Sequence, residues 1–192
     1  MIAIAYSSAK LLNKSLYENY QLSIAYYRLP DLDKALNYIN NLIEAHPKEG
    51  YYHELKGQML FENGRIAESI TAYKRANDLY SNSPLIAMGL AMAHIAREEK
   101  GDLDQATKLL RQVVTKEPKN STGWYQLGIA LGRSKQLGES YLALAEHAAL
   151  VNDTPKAMHF ITLARKKLPE GSAAIVRLDD LNRWIKNQDK RK

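Results

Sequence analysis

The side chains in this chain best suited to metal or acid–base chemistry are its five histidines, and their spacing argues against both uses. His46, His53, His94, His147 and His159 form no i, i+4 pair on one helix, and no HExxH occurs. Glu146 and His147 are adjacent, which turns them to different sides of a helix. The histidines therefore read as ordinary helix-surface residues. No cysteine is present, so disulfides, thiolate ligands and cysteine nucleophiles are excluded. Neither GxGxxG nor GxxxxGK(S/T) is found, around Gly171 or elsewhere, and there is no Gly-x-Ser-x-Gly elbow. These absences predict a protein without catalytic residues, metal or cofactor.

What the chain has in quantity is tyrosine, twelve against two phenylalanines. Tyr suits half-exposed surfaces, where the ring packs and the hydroxyl stays wet. Such a surface needs a scaffold, and three prolines announce one. Pro47 and Pro118 are 71 residues apart and Pro118 and Pro169 are 51 apart, close to multiples of a helical hairpin and its half. Small residues repeat the count: Ala35, Ser69, Ala106, Ser140 and Ala157 step by 34, 37, 34 and 17. A period of about 34 residues is that of the tetratricopeptide repeat, two antiparallel helices and their turns. A small side chain on the second helix lets the pair approach, and large residues four and seven places later fill the groove.

The spacing predicts an all-α fold, a tetratricopeptide-repeat α-solenoid of antiparallel helix hairpins closed by a C-terminal capping helix. Repeats are placed at about 15–49, 50–83, 84–120 and 121–151, with an overlapping hairpin at 138–171 that shares the helix from Gly138. Residues 1–14 form an extension or extra helix, 172–187 the cap and 188–192 a basic tail. The cap's buried stripe is read as Ile175, Leu178, Leu181 and Trp184. Three extra residues near Arg97-Glu98-Glu99-Lys100 predict that the preceding helix runs long before Gly101. Trp124-x2-Leu127-Gly128-x2-Leu131 matches the opening pattern of the repeat closely. In the second hairpin, Lys56 stands where an apolar residue is usual, so that either the helix is rotated slightly or the Lys stem snorkels toward a carboxylate.

First helices of such hairpins line a concave surface. Projection places Tyr17, Tyr20, Ile24 and Tyr27 there, followed by Tyr51, Glu54, Gln58 and Phe61. The later hairpins add Leu85, Met88, Met92 and Ile95, then Tyr125, Ile129 and Arg133. Of these, Ile24, Leu85, Ile95 and Ile129 are expected to pack between hairpins, as helix-period apolar positions do. The others compose an aromatic, Met-rich wall suited to an extended or helical protein segment. The Lys/Asn clamp that some repeat proteins use for a C-terminal carboxylate is missing from Tyr20, Ile24, Glu54 and Gln58.

The formal charge of +6 is uneven: residues 165–192 hold nine basic and four acidic side chains. That segment supports an alternative, a nucleic-acid or anionic-surface binder, although the favoured account is a solvated terminal helix and tail that end the solenoid with a polar face. No run of 18 apolar residues could span a membrane, and the opening residues lack the basic and long apolar regions of a secretion signal. A complete chain would on this reading be cytoplasmic.

One stretch goes beyond generic repeat character. Tyr51-Tyr52-His53-Glu54-Leu55-Lys56-Gly57-Gln58-Met59-Leu60-Phe61-Glu62-Asn63-Gly64-Arg65 resembles the C-terminal repeat domain of bacterial BepA-like zinc metallopeptidases. Further matches are Trp124 through Arg133 and Lys166 through Ser172, within a similarity running from Ser15 to Trp184. The resemblance implies a substrate- or partner-binding arm for outer-membrane protein assembly, and a periplasmic address if the chain is a fragment. The family's HExxH site lies in a preceding domain that this sequence does not contain, so no zinc ligand carries over.

Overall fold

The computed structural model describes the backbone of residues 2–189 and the side chains of residues 15–187. Residues 190–192 of the predicted basic tail, and Met1, lie outside the described residues. The elements are α1 (Ile2–Arg28), α2 (Leu32–Ala45), α3 (Gly50–Glu62), α4 (Ile66–Leu79) and α5 (Pro84–Arg97). They continue as α6 (Asp102–Lys116), α7 (Ser121–Arg133), α8 (Leu137–Leu150), α9 (Thr154–Arg165) and α10 (Ala173–Asp189). No strand occurs among the described residues. This is the all-helical hairpin fold that the repeat period predicts.

Two compact units divide within α5, between Gly89 and Leu90. In the first, α1 packs on α2, α2 on α3 and α3 on α4. Asp31 caps α2 by accepting from the Lys34 amide at 3.2 Å, and the apolar positions Ala35, Leu36, Ile39 and Leu42 then fall on one buried face. Met59 and Leu60 of α3 and Ala72 of α4 complete that core. In the second unit α6 packs on α7, while α8 packs on both α7 and α9 and also on α10. Its core joins Ala145 and Ala148 of α8, Ala157, Ile161 and Ala164 of α9, and Leu178, Leu181 and Ile185 of α10.

The five small residues that mark the repeat are none of them more than 3% exposed. They let backbones meet: the Ser140 hydroxyl donates to the Gly128 carbonyl at 2.7 Å across the α7–α8 pair. In the first unit the close approach is made around a ring instead. A Cβ at Gly57 would stand 2.8 Å from the Tyr73 ring, and one at Gly89 would stand 2.5 Å from it, so α3 and α5 each give a glycine to the same side chain.

The ends of α3, α7 and α8 follow one scheme. After α3, the Arg65 amide reaches back to the Leu60 carbonyl, with Gly64 at φ +75°. After α7 and α8 the same bonds form from Gln136 to Leu131 and from Asp153 to Ala148. There the left-handed position is held by Lys135 (φ +61°) and Asn152 (φ +60°) rather than glycine.

At the level of whole helices the structure departs from expectation at the insertion and in the cap. The three-residue insertion does not lengthen α5, which ends at Arg97; Glu98 turns left-handed (φ +53°) and the insertion becomes a loop. The loop wins because it has a polar anchor, the buried carboxylate of Asp102, to which Arg97 and the Glu99 amide both donate. In the cap, Trp184 is 47% exposed and Ile185 takes the buried place. Repeated steps of three fall about 60° short of a full turn each time, so the fourth member of the predicted stripe is carried to the opposite face.

Candidate protein-docking surface

The first-helix residues of the first unit stand on the successive turns of α1 and α3. Tyr20, Ile24 and Tyr27 form one ridge of α1, and Tyr51, Glu54, Gln58 and Phe61 one ridge of α3. Tyr17, Tyr20 and Tyr51 are 63%, 43% and 51% exposed, a large uncovered aromatic area for two helices. Tyr17 accepts a hydrogen bond from the Gln21 amide at 2.7 Å, and the ring of Tyr51 lies tilted at 5.2 Å from that of Tyr80. Ile24, Phe61 and Met88 are half-buried.

Glu62, which spacing alone does not single out, is the junction of this surface. The Tyr27 hydroxyl donates to one carboxylate oxygen and the Gln58 amide donates to the other at 2.9 Å. Burial first, and then the bond to Glu62, push the Tyr27 hydroxyl well above the usual phenol range. Tyr73 stands beneath, 4% exposed; burial raises its pKa as well, with the charges of Glu54 and Glu62 adding to the rise. Glu54 is half-buried, and desolvation alone holds its carboxyl above the ordinary carboxylate range. The Lys56 ammonium points elsewhere and donates to the Asn40 side-chain oxygen at 2.8 Å. The carboxylate predicted for it is replaced by an amide, because Asn40 is what α2 presents there.

The second unit treats its predicted residues differently. Arg133 donates to the Ile95 carbonyl at 3.1 Å and pairs with Glu98 at 2.9 Å, which ties it to the insertion loop. Tyr125 is 43% exposed, with its ring 5.1 Å from that of His147. Met92 and Ile129 are half-buried and Ile95 is buried. Leu85 of the first unit, expected to pack between hairpins, is 53% exposed, because it sits in the first turn of α5 where the chain has just left a turn.

His94 is not a surface histidine. It is 3% exposed, and its Nδ1 lies 2.6 Å from Asp102, which is 2% exposed. Arg97 donates to both oxygens of Asp102 at 2.8 and 2.7 Å, and the Glu99 amide donates to it at 2.9 Å. These donors, Arg97 foremost, hold the Asp102 carboxyl far below the ordinary range. The group organises the insertion and has a structural geometry, since both carboxylate oxygens are engaged by neighbours around the same loop. Among the described residues no group of three or more His, Asp or Glu gathers as metal ligands would.

A second concavity lies in the second unit, about 400 Å³, floored by Trp124, Leu127 and Leu142. Arg177 of α10 lies 4.5 Å over the Trp124 ring and pairs with Glu146 at 2.6 Å. The remaining described arginines of the basic segment are similarly engaged, Arg165 with Asp179 and Arg183 with Asp180. No helix among the described residues is long and apolar enough to cross a membrane.

Comparison with known proteins agrees with this architecture. Residues 20–84 match the family model of the tetratricopeptide repeat. The beta-barrel assembly-enhancing protease of Escherichia coli (strain K12) is 25% identical over 147 residues, which are 77% of this chain and 29% of that protein. The cytochrome c-type biogenesis protein CycH of Rhizobium meliloti is also 25% identical, over 70% of this chain and 34% of its own. The chain thus spans well under two thirds of the length of either relative. Among solved structures, MamA from Desulfovibrio magneticus RS-1 superposes with a TM-score of 0.69 at 16% identity, covering 91% of this chain and 97% of that one. YrrB, described as a tetratricopeptide-repeat protein with an unusual peptide-binding site, gives 0.65 at 18% identity, covering 82% and 80%. Helix pairs, buried small residues and the match at residues 20–84 all lead to one conclusion: the chain has the solenoid fold of tetratricopeptide-repeat proteins.

Proposed function

We propose that the chain is a non-catalytic protein-interaction module that docks protein segments on the first-helix face, chiefly that of α1, α3 and the start of α5. The observation that carries this reading is the row of uncovered aromatic side chains, Tyr17, Tyr20 and Tyr51, above fully buried helix-pair cores. Rigid tyrosines give large contact area at small ordering cost, and Met88 adds an adaptable apolar contact beside them. Tyr27, Glu54, Gln58 and Phe61 complete the face in the first unit; Met92, Tyr125 and Arg133 are the corresponding contacts of the second. The likeness to the beta-barrel assembly-enhancing protease supports a finer reading, the substrate- or partner-binding arm of an envelope metallopeptidase, or a free-standing relative of that arm.

The test uses the whole chain. Peptides selected on it from a random 12-residue display library are titrated against Tyr20→Ala, Tyr51→Ala and Met88→Ala. Loss of about tenfold or more in affinity for at least one variant is expected, the size of an aromatic anchor's contribution. Unchanged affinity in all three removes the proposal.

A further inference from the structure

We propose that Tyr80, anchored by Glu49, is a positioning residue for Tyr51: it fixes the ring of that docking tyrosine before any partner arrives. This rests on the docking face proposed above and adds how one of its anchors is held ready. All the residues concerned belong to the first unit. Tyr51 is 51% exposed near the start of α3, and a tyrosine left to itself on a helix surface exchanges between rotamers. Here its ring lies 5.2 Å from that of half-buried Tyr80 and tilted by 57°, within the separation at which aromatic pairs attract.

Tyr80 is itself held at both ends. Its hydroxyl donates to Glu49 Oε1 at 3.1 Å, and the same oxygen accepts from the Tyr51 amide at 3.1 Å. One carboxylate oxygen thus joins the start of α3 to the residue that follows α4. The Tyr80 amide donates to the Ala76 carbonyl at 2.9 Å and its carbonyl accepts from the Ser83 amide at 3.1 Å, which closes the backbone on either side of the ring. The ring rests on Gly50, the first residue of α3, where a Cβ would stand 2.6 Å from it. Gly50 is not among the glycines of positive φ, so its backbone does not call for glycine. The close ring does, because no side chain fits beneath it.

The cap of α3 is a second sign. Where α2, α7 and α9 carry a side-chain cap, the residue is short: Asp31, Asn120 and Asp153. Such residues serve the amides of their own first turn. At the start of α3 stands glutamate, outside the favoured set, and its longer arm also reaches a hydroxyl 31 residues further along the chain. Local preference is therefore set aside at two consecutive positions, 49 and 50, and both departures serve the contact with Tyr80. A ring already confined to one rotamer loses less entropy when a partner covers it, so Tyr80 strengthens docking through Tyr51.

The test is a double-mutant cycle on the whole chain, read with the peptides selected for the docking test. Tyr80→Leu is expected to weaken peptide binding about fivefold, the size of an aromatic pair's coupling, and to have no further effect once Tyr51 is alanine. Gly50→Ala removes no side chain from the face but drives the Tyr80 ring aside, and should weaken binding to a similar degree. Tyr80→Phe keeps the ring and should recover most of the loss. In the free protein, NMR couplings across the Tyr51 χ1 bond should report one rotamer in the parent and in Tyr80→Phe, and averaged rotamers in Tyr80→Leu and Gly50→Ala. Should Tyr80→Leu fail to fold, Gly50→Ala carries the cycle. Averaged couplings in the parent, couplings indifferent to Tyr80→Leu and Gly50→Ala, or an equal loss of affinity with and without Tyr51 overturns the inference. Peptide binding that depends on Tyr20 or Met88 but ignores Tyr51 and Tyr80 removes the positioning role and leaves the docking face. A fixed Tyr51 ring with peptide affinity indifferent to Tyr20, Tyr51 and Met88 removes the docking face, and the positioning role with it.

Discussion

Asp102 gathers donors from an arginine, a histidine and a backbone amide, and it does so for a loop rather than a ligand. Replacing it by asparagine leaves those buried donors without their charged acceptor. Asp102→Asn should cost about 2 kcal/mol, read as a lowered denaturation midpoint. The pH dependence has a definite sign. Because the folded-state pKa is depressed, the stabilisation is fully present above the unfolded carboxylate value of about 4 and is lost as pH falls from there through the folded value. The gap between parent and variant should therefore be constant at neutral pH and close in acid. None of this can be read from spacing, since His94 and Asp102 are eight residues apart across an insertion. Tyr27 and Gln58, by contrast, are legible as face residues from helical period alone, whereas their meeting at Glu62 joins residues 35 apart and needs the folded first unit.

At the scale of elements, the capping helix offers the sharpest comparison. Leu178 is fully buried and Trp184 nearly half exposed, although Trp has much the larger apolar surface. Leu178→Ala should cost about 2–5 kcal/mol, the range for emptying a buried leucine site. Trp184→Ala should cost less than about 1 kcal/mol, as surface changes do. Thermal melts of the two variants decide the assignment of the buried face. The second helices are easily read because a small residue, then large ones four and seven later, match the period of a helix packed on one side. The far end of the cap is harder, because steps of three drift around the helix, whereas alternating three and four stay on the face that holds Leu178, Leu181 and Ile185.

Across the whole molecule, the counted repeat is the most legible property, since a period near 34 shared by prolines and small residues is hard to produce except by stacked hairpins. What composition conceals is the distribution of charge. Arg165, Arg177 and Arg183 of the C-terminal segment are each paired with a carboxylate, an arrangement of which net charge gives no hint. The cores also stay local: one cluster joins α2, α3 and α4 with side chains of α1 packed against it, and another joins α8, α9 and the segment through α10. Repeat proteins of this kind sum contributions from neighbouring units. The costs of Ile39→Ala and Leu178→Ala should accordingly add within about 0.5 kcal/mol in the double variant, measured by chemical denaturation.

The left-handed residues that close α7 and α8 open a route for engineering. Where α3 is followed by glycine, Lys135 carries a side chain through the same backbone geometry, and lysine tolerates it less well than the asparagine at 152. Lys135→Gly should thus raise the melting temperature slightly, by the excess of relieved strain over added chain entropy, and Asn152→Gly should do so less. A designer seeking a sturdier scaffold would begin at a hairpin bend, away from the recognition tyrosines, and leave the docking chemistry untouched.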